Sequence, residues 1–294
     1  VSGNTPHAAI QSLLRGLILG SYNIIKLPSS GLPEIDEWIT TLPSELKNLI
    51  ETYTHLTDEQ WSQSDAVIAI GSDDTIAAIQ QRILPHQIFI PHGHKVSIGI
   101  VYSDFENAAP LAARNASLFN QQGCLSPHAI YVDETSSSTA SQFAEMLALE
   151  MENFAQAHPP TPISLSEAGA IRNLRETTRF CAANSTATQL WESTEDLAWT
   201  VIYQAPPILH LSCLNRCIYV KPLPSDLDIN GLGEEAQHLS TIAIHPFSLT
   251  TAEPLATLPA HRICPLGDSQ QPSLFWHHDG FAPLASLVKW KDLG

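Results

Sequence analysis

The feature that most constrains this chain is a repeated alternation. Short apolar runs rich in Ile and Val occupy residues 23–27, 66–70, 87–90, 96–102 and 128–132, separated by segments of helical spacing or by turns. Runs this short suit buried strands better than buried helices. In residues 6–19, Ile10, Leu13, Leu14 and Leu17 follow the i, i+3, i+4, i+7 spacing of one helical face. Helix is also expected over 32–56, with a break at Pro43, and over 104–118, 138–157 and 166–182. The helix at 138–157 is started by the cap region Ser136–Thr139, and its apolar face holds Phe143, Met146, Leu147 and Phe154. Further strands are expected at 198–204, 217–221, 241–245 and 262–266. Strand and helix in alternation predict βαβ units and an α/β fold with parallel strands. A domain boundary is expected near 95–103.

Length permits one large domain or two ordinary ones in 294 residues. Acidic residues outnumber basic ones 30 to 14, for a net charge of −16. That argues against nucleic acid or an anionic membrane as the main partner, because both require a basic face. No apolar run reaches the ~20 residues of a membrane-spanning helix. The five cysteines contain no C-x-x-C pair, which argues against a disulfide framework or a zinc ribbon. Cys213 and Cys217 read as small hydrophobes in a β segment. A cytoplasmic location is expected. The chain opens at Val1 without a Met, and reads as a piece of a longer protein.

One segment points to chemistry. Asn120-Gln-Gln-Gly123 leads to Cys124, followed by Ser126-Pro127 and a strand. A thiol beside Gly in a polar loop is sterically open and can serve as a nucleophile; a half-buried loop cysteine is the plainer alternative. Gly71-Ser72-Asp73 after an apolar run is the pattern by which α/β proteins present backbone N–H groups to phosphate, although it also marks ordinary turns. His92-x-His94 and His277-His278 lack the closed ligand set of a zinc site, so no metal is expected.

Several motifs, in order along the chain, resemble the aldehyde dehydrogenase superfamily and, within it, the acyl-CoA reductase family typified by the fatty-acid reductase component of bacterial bioluminescence. They are Ser2-Gly-Asn4-Thr-Pro6 before the first helix, Asn23-Ile-Ile-Lys26-Leu-Pro-Ser-Ser30, Gly71-Ser72-Asp73, Pro91-His-Gly-His-Lys95, Phe119-Asn-Gln-Gln-Gly-Cys124, Arg262–Gly267, Trp276–Gly280 and Leu287–Trp290. The nucleophile loop and the His-Asp-Gly tail are the most specific of these.

The resemblance implies an aldehyde-dehydrogenase-like α/β fold of two domains: an N-terminally incomplete, Rossmann-like cofactor domain over 1–95, and a catalytic thiol domain with its C-terminal tail over 96–294. It implies a reductase that turns an acyl-CoA or acyl-protein thioester, of long chain by analogy, into an aldehyde. Cys124 would carry the acyl group. Asn4 and the backbone N–H of Cys124 would hold the oxyanion; Asn4 read alone is a helix cap. Lys26, Ser29, Gly71 and Ser72 would bind the cofactor. His278 is the expected acid–base residue, with His92, His94 and His128 as alternatives. Two departures sharpen this picture. Pro91 stands where hydrolytic relatives place a water-activating Glu, so a thioester should persist for transfer. Ser29 stands where NAD-preferring relatives place a Glu, so NADPH is expected, with NADH as the alternative. The family also implies a homo-oligomer in the full-length protein and an acyl-transferring partner enzyme. The competing expectation is a truncated, non-catalytic module of the same fold that acts in binding or assembly.

Overall fold

The computed structural model describes residues 6–29, 31–134 and 139–294. It divides into two compact units: Val1–His94 with Ser273–Gly294, and Lys95–Pro272. The C-terminal tail, expected from the sequence to belong to the second domain, clusters with the first.

The second unit is built on a seven-stranded sheet. Its strands are β5 (Val96–Val101), β6 (Pro127–Val132), β7 (Thr188–Glu192), β8 (Thr200–Gln204), β9 (Cys217–Pro222), β10 (Leu239–His245) and β11 (Arg262–Pro265), numbered after four strands of the first unit given below. Their spatial order is β11-β10-β5-β6-β9-β8-β7, parallel except for β7 against β8. Every residue of β5 and β6 is buried. A parallel sheet covered on both faces produces this pattern, and it explains why these strands read as continuous apolar runs.

On one face the helices Phe105–Ser117 and Ala140–Ala157 pack against Ile130, Val132, Ile218 and Val220. Phe105–Ser117 presents Ala108, Ala109, Ala112, Ala113 and Ala116. Such small side chains let helix and sheet approach closely. Gly99 serves the same end within β5, because a Cβ there would stand 2.4 Å from Cδ1 of Ile130. The other face gathers Ile98, Ile100, Tyr131, Ile202, Tyr219 and Ile244. Each fully buried aliphatic side chain contributes about 1.5–3 kcal/mol.

Lys221 interrupts this apolar pattern in β9. It is fully buried, and its Nζ donates to Gln204 Oε1 at 2.9 Å and to the carbonyl of Pro206 at 3.0 Å. Burial pushes its pKa from 10.5 down to about 8. The folded state therefore holds this proton less tightly than the unfolded chain does. Between pH 8 and 10.5 the unfolded chain binds more protons, so this group's contribution to stability rises with pH; below pH 8 the full penalty is present. Lys221→Met removes that slope. Relative to wild type, the variant's stability in urea melts should fall by up to about 3 kcal/mol between pH 7 and pH 10. A pH-independent difference would refute the assignment.

The first unit holds two separate parallel pairs: β1 (Asn23–Lys26) with β2 (Ile50–Tyr53), and β3 (Ala66–Ile70) with β4 (Ile88–His92). Among the described residues, β1 pairs only with β2 and β3 only with β4. A cavity of about 520 Å³ lies along β1 and β3 and is lined by every residue of both strands. Consecutive lining residues mean that the strands present their backbone edges to it, since alternate residues would line it if they presented a face. Leu13, Leu17, Ile25, Leu27 and Ile35 form this unit's core.

The single helix expected over 32–56 is corrected. Pro33–Thr40 and Ser44–Lys47 are helical on either side of Pro43, but 50–53 is strand β2. Ile-Glu-Thr-Tyr is rich in strand-favouring side chains, and pairing with β1 decides the outcome. Strand β7 was also not expected; all five of its residues are only half-buried, which blurs the alternation that marks a strand.

Candidate active site

In the second unit the helix Phe105–Ser117 ends in a left-handed turn. Phe119, Asn120 and Gln121 have φ of +53°, +48° and +63°. Each non-glycine residue in this region costs about 1–2 kcal/mol, least for Asn. The turn leads through Gly123 to Cys124, which is exposed. The surrounding loop is pinned. Ser97 Oγ donates to the carbonyl of Cys124 at 2.7 Å, and Gln121 Nε2 donates to the carbonyl of Pro127 at 2.8 Å. Gln270 Nε2 donates to Ser126 Oγ. An exposed thiol on a fixed backbone is the arrangement a nucleophile needs.

A second left-handed run, Leu214, Asn215 and Arg216, precedes β9, with φ of +61°, +54° and +61°. It is bonded to the first run. Asn215 N–H donates to the carbonyl of Asn120 at 3.0 Å, and Gln122 Nε2 donates to Asn215 Oδ1 at 3.0 Å. Sequence reasoning missed this partner, since nothing in Leu-Asn-Arg announces a left-handed turn. Cys213 and Cys217 flank it; the neighbouring thiol and burial push Cys217 well up, so it is no nucleophile at neutral pH. His128 is a structural tie: its Nδ1 accepts from the backbone N–H of Ser212 at 3.0 Å.

The expected acid–base residue, His278, lies in the first unit. Asp279 pairs with His92, 187 residues away, its Oδ2 lying 2.7 Å from Nδ1. His278 Nε2 is 3.6 Å from the same oxygen. The His278 ring stacks on His92 at 3.9 Å between centroids and on Trp276 at 4.8 Å. His92 and His278 are each 5% exposed. A left-handed Asp279, φ +49°, turns its carboxylate back toward His92. His92, His278 and Asp279 place three potential metal ligands within 4.8 Å of one another. Stacked rings, however, hold their nitrogens in nearly parallel planes and do not converge them on one point, so the group reads as a hydrogen-bonded aromatic stack. The backbone N–H of His94 donates to Asp73 Oδ1 at 2.7 Å.

The residues expected to hold a cofactor also lie in this unit. Lys26 closes β1 and lines the 520 Å³ cavity together with Arg82, and among the described residues no Asp or Glu lines it. In a chain of net charge −16, that local balance suits a phosphorylated ligand. Arg82 is ion-paired to Asp58 at 2.9 Å. Ser29 is exposed in the turn that follows β1. At Gly71-Ser72 the fit is poorer: Ser72 Oγ caps the helix Asp73–Gln80 by accepting from Thr75 N–H, and Asp73 and Asp74 occupy the first turn. Two carboxylates there already satisfy the positive end of the helix and repel a phosphate. Gly71 has a packing reason as well, since a Cβ would come within 3.2 Å of Thr75. Asn4 lies outside the described residues.

No helix among the described residues is long and apolar enough to cross a membrane. Among solved structures, the chain is similar to glyceraldehyde-3-phosphate dehydrogenase GapN from Methanocaldococcus jannaschii, complexed with NADP, with a TM-score of 0.67 and 15% identity over 90% of this chain and 62% of that one. It is also similar to a putative aldehyde dehydrogenase, PutA, from Anabaena variabilis, with a TM-score of 0.62 and 17% identity over 90% of this chain and 61% of that one. The fold is thus aldehyde-dehydrogenase-like α/β. Among curated proteins, the long-chain acyl-protein thioester reductase of Aliivibrio fischeri is 23% identical over an alignment that covers 99% of this chain and 62% of the relative. The corresponding reductase 2 of Photobacterium leiognathi is 25% identical, with the same coverage. The chain thus spans about 62% of the length of the relatives it matches. The family model described as acyl-CoA reductase (LuxC) matches residues 1–290, and with that match over nearly its whole length the chain belongs to the acyl-CoA reductase (LuxC) family.

Proposed function

We propose that this chain carries the acyl-transfer and reduction chemistry of a reductase that converts a long-chain acyl thioester, on CoA or on a protein, into an aldehyde. The observation that carries this reading is the exposed Cys124 on a loop pinned from both sides, in a chain of this family. The Cys124 thiolate adds to the thioester carbonyl. Asn4 and the backbone N–H of Cys124 stabilise the resulting oxyanion. The intermediate collapses with cleavage of the carbon–sulfur bond to the leaving thiol, which departs with a proton. The acyl group is then held as a thioester on Cys124.

A reduced nicotinamide, when bound, supplies the hydride that takes this thioester to the aldehyde and returns Cys124 as thiolate. Lys26 holds the cofactor's ribose or its phosphate, and a neutral Ser29 leaves room for the 2′-phosphate of NADPH. Gly71 and Ser72 offer backbone and hydroxyl groups next to the Asp73–Gln80 helix, a weaker contribution because Asp73 and Asp74 stand beside them. His278, stacked on the Asp279-paired His92, belongs to the group that handles protons. Pro91 lies in β4 opposite Ala69 and has no side-chain base to activate water, so the thioester resists hydrolysis. The full-length protein is proposed to be a homo-oligomer served by an acyl-transferring enzyme.

Incubation with radiolabelled long-chain acyl-CoA should give a hydroxylamine-sensitive label, discharged by NADPH faster than by NADH at equal concentration. Cys124→Ala should take up none. Equal labelling of Cys124→Ala would end the reading. Absence of any label, together with no saturable nucleotide binding, would favour the non-catalytic module.

A further inference from the structure

The turn that precedes Cys124 is held by a residue far from it in sequence. Arg216 is only 4% exposed. Its Nε donates to Asn120 Oδ1 at 3.1 Å, its Nη1 donates to the carbonyl of His158 at 2.9 Å, and its guanidinium lies 5.6 Å from the centre of the Phe154 ring. No carboxylate pairs with it among the described residues. A buried cation without a counter-ion is costly, and an apolar side chain would fill the same space more favourably. What an apolar residue could not supply is the pair of directed N–H donors.

One of those donors fixes Asn120, whose side-chain amide is bonded through both its oxygen and its nitrogen. Its Oδ1 accepts from Arg216, its Nδ2 donates to Thr161 Oγ1, and its backbone carbonyl accepts from Asn215. Asn120 is the central residue of the left-handed run Phe119–Gln121. Downstream, Gln121 and Gln122 are bonded to Pro127 and Asn215, and the carbonyl of Cys124 is held by Ser97. The loop is thus fixed before and after the thiol, with the guanidinium at its upstream anchor.

We propose that Arg216 is a positioning residue for the Cys124 loop: acting through Asn120, it holds the left-handed turn that aims the thiol, and it touches no substrate itself. The proposal rests on the reading of Cys124 as acyl carrier. Without the brace the turn relaxes toward right-handed backbone, and the thiol moves relative to a substrate held by other contacts. A misplacement of about 1 Å in an attacking atom costs on the order of 100-fold in rate. Substrate affinity, made elsewhere, should change little.

The test compares Arg216→Met, Arg216→Lys and Asn120→Ala with wild type in the 294-residue chain. Three readings are taken: single-turnover acylation of Cys124 by long-chain acyl-CoA, the concentration of acyl-CoA at half-maximal rate, and alkylation of Cys124 by iodoacetamide. Arg216→Met and Asn120→Ala should each slow acylation by about 100-fold, with the half-maximal concentration and the alkylation rate within about threefold of wild type. Iodoacetamide needs an exposed thiol but no aim. The double variant should be no slower than either single one, because both remove the same contact. Arg216→Lys, which keeps a donor, should recover part of the rate. A lower melting temperature with unchanged acylation of the folded protein would overturn the proposal and leave Arg216 a purely structural residue. Failure of wild type itself to be acylated would instead sink the acyl-carrier reading, and this inference with it. If Arg216→Met does not fold, Arg216→Lys and Asn120→Ala decide the question in the same way.

Discussion

In a Cys124→Ser variant, reduction of a long-chain acyl-CoA should fall by at least about a thousandfold, with KM nearly unchanged. The reason lies in the nucleophile and its surroundings. A thiol has an ordinary pKa near 8.5 and keeps a fraction of thiolate at neutral pH, whereas a hydroxyl needs a strong neighbouring base. On the reading proposed above, the place of such a base is taken by Pro91, which has no proton-accepting side chain. Serine at 124 would therefore sit on the same pinned loop without means of activation. Contacts that bind the acyl chain and the CoA moiety would be retained, so the loss should appear in kcat. Steady-state kinetics with purified protein checks this. A variant retaining more than a tenth of wild-type kcat would show that Cys124 is not the acyl carrier.

The largest effect on stability is expected at Arg175. This side chain is 6% exposed and fully committed. Nε donates to Thr200 Oγ1 at 2.9 Å; Nη1 donates to the carbonyls of Ser193 and Asp196; Nη2 donates to Ser193 Oγ and to the carbonyl of Trp199 at 2.8 Å. Glu192 Oε2 lies 3.1 Å from Nε. One guanidinium thus ties the helix Leu165–Asn184 to β7, to β8 and to the turn that joins them. Arg175→Met keeps the aliphatic stem but removes the donor to the Ser193 carbonyl and the cation beside Glu192 Oε2, and it leaves the carbonyls of Asp196 and Trp199 with one bond each, from Ser193. Removing one member of such a buried network costs about 3–5 kcal/mol. With a slope near ~2–3 kcal/mol per molar urea, the midpoint should drop by roughly 1–2 M. A loss below about 1 kcal/mol would mean that water replaces the guanidinium, and that the network is less closed than its distances imply.

What the sequence discloses follows the range of the interactions that decide it. Strands β5, β6, β9 and β10 are buried on both faces, and their apolar runs are visible in any window of six residues. The Cys124 loop is equally visible, since Gly123-Cys124 and its polar approach are contiguous. Strand β2 was hidden because its four residues are half-buried or exposed, and neighbouring β1 gives them their conformation. The Asp279–His92 pair spans 187 residues and the Arg216–Asn120 contact 96. No local pattern announces either one. Asp279 follows His278 in sequence, yet the shorter contact, 2.7 Å against 3.6 Å, is with His92. The left-handed backbone at 119–121 and 214–216 is silent for the same reason, since only Asn among these residues favours it.

The two half-sheets of the first unit bear on how stability is distributed along the chain. In the inner strands of the seven-stranded sheet, flanked on both sides, backbone amides are exposed only when neighbouring strands separate, so their opening approaches global unfolding. A strand bonded along one side alone needs only a local fluctuation to expose its backbone. Strands β1 and β3 are of the second kind among the described residues, and their inward edges face open volume where a ladder would otherwise run. The unit that carries Lys26 is therefore the softer one. Any ligand or chain segment that settles along those edges would stabilise it by an amount set by its own affinity, which couples occupancy of that cavity to the order of the strands lining it.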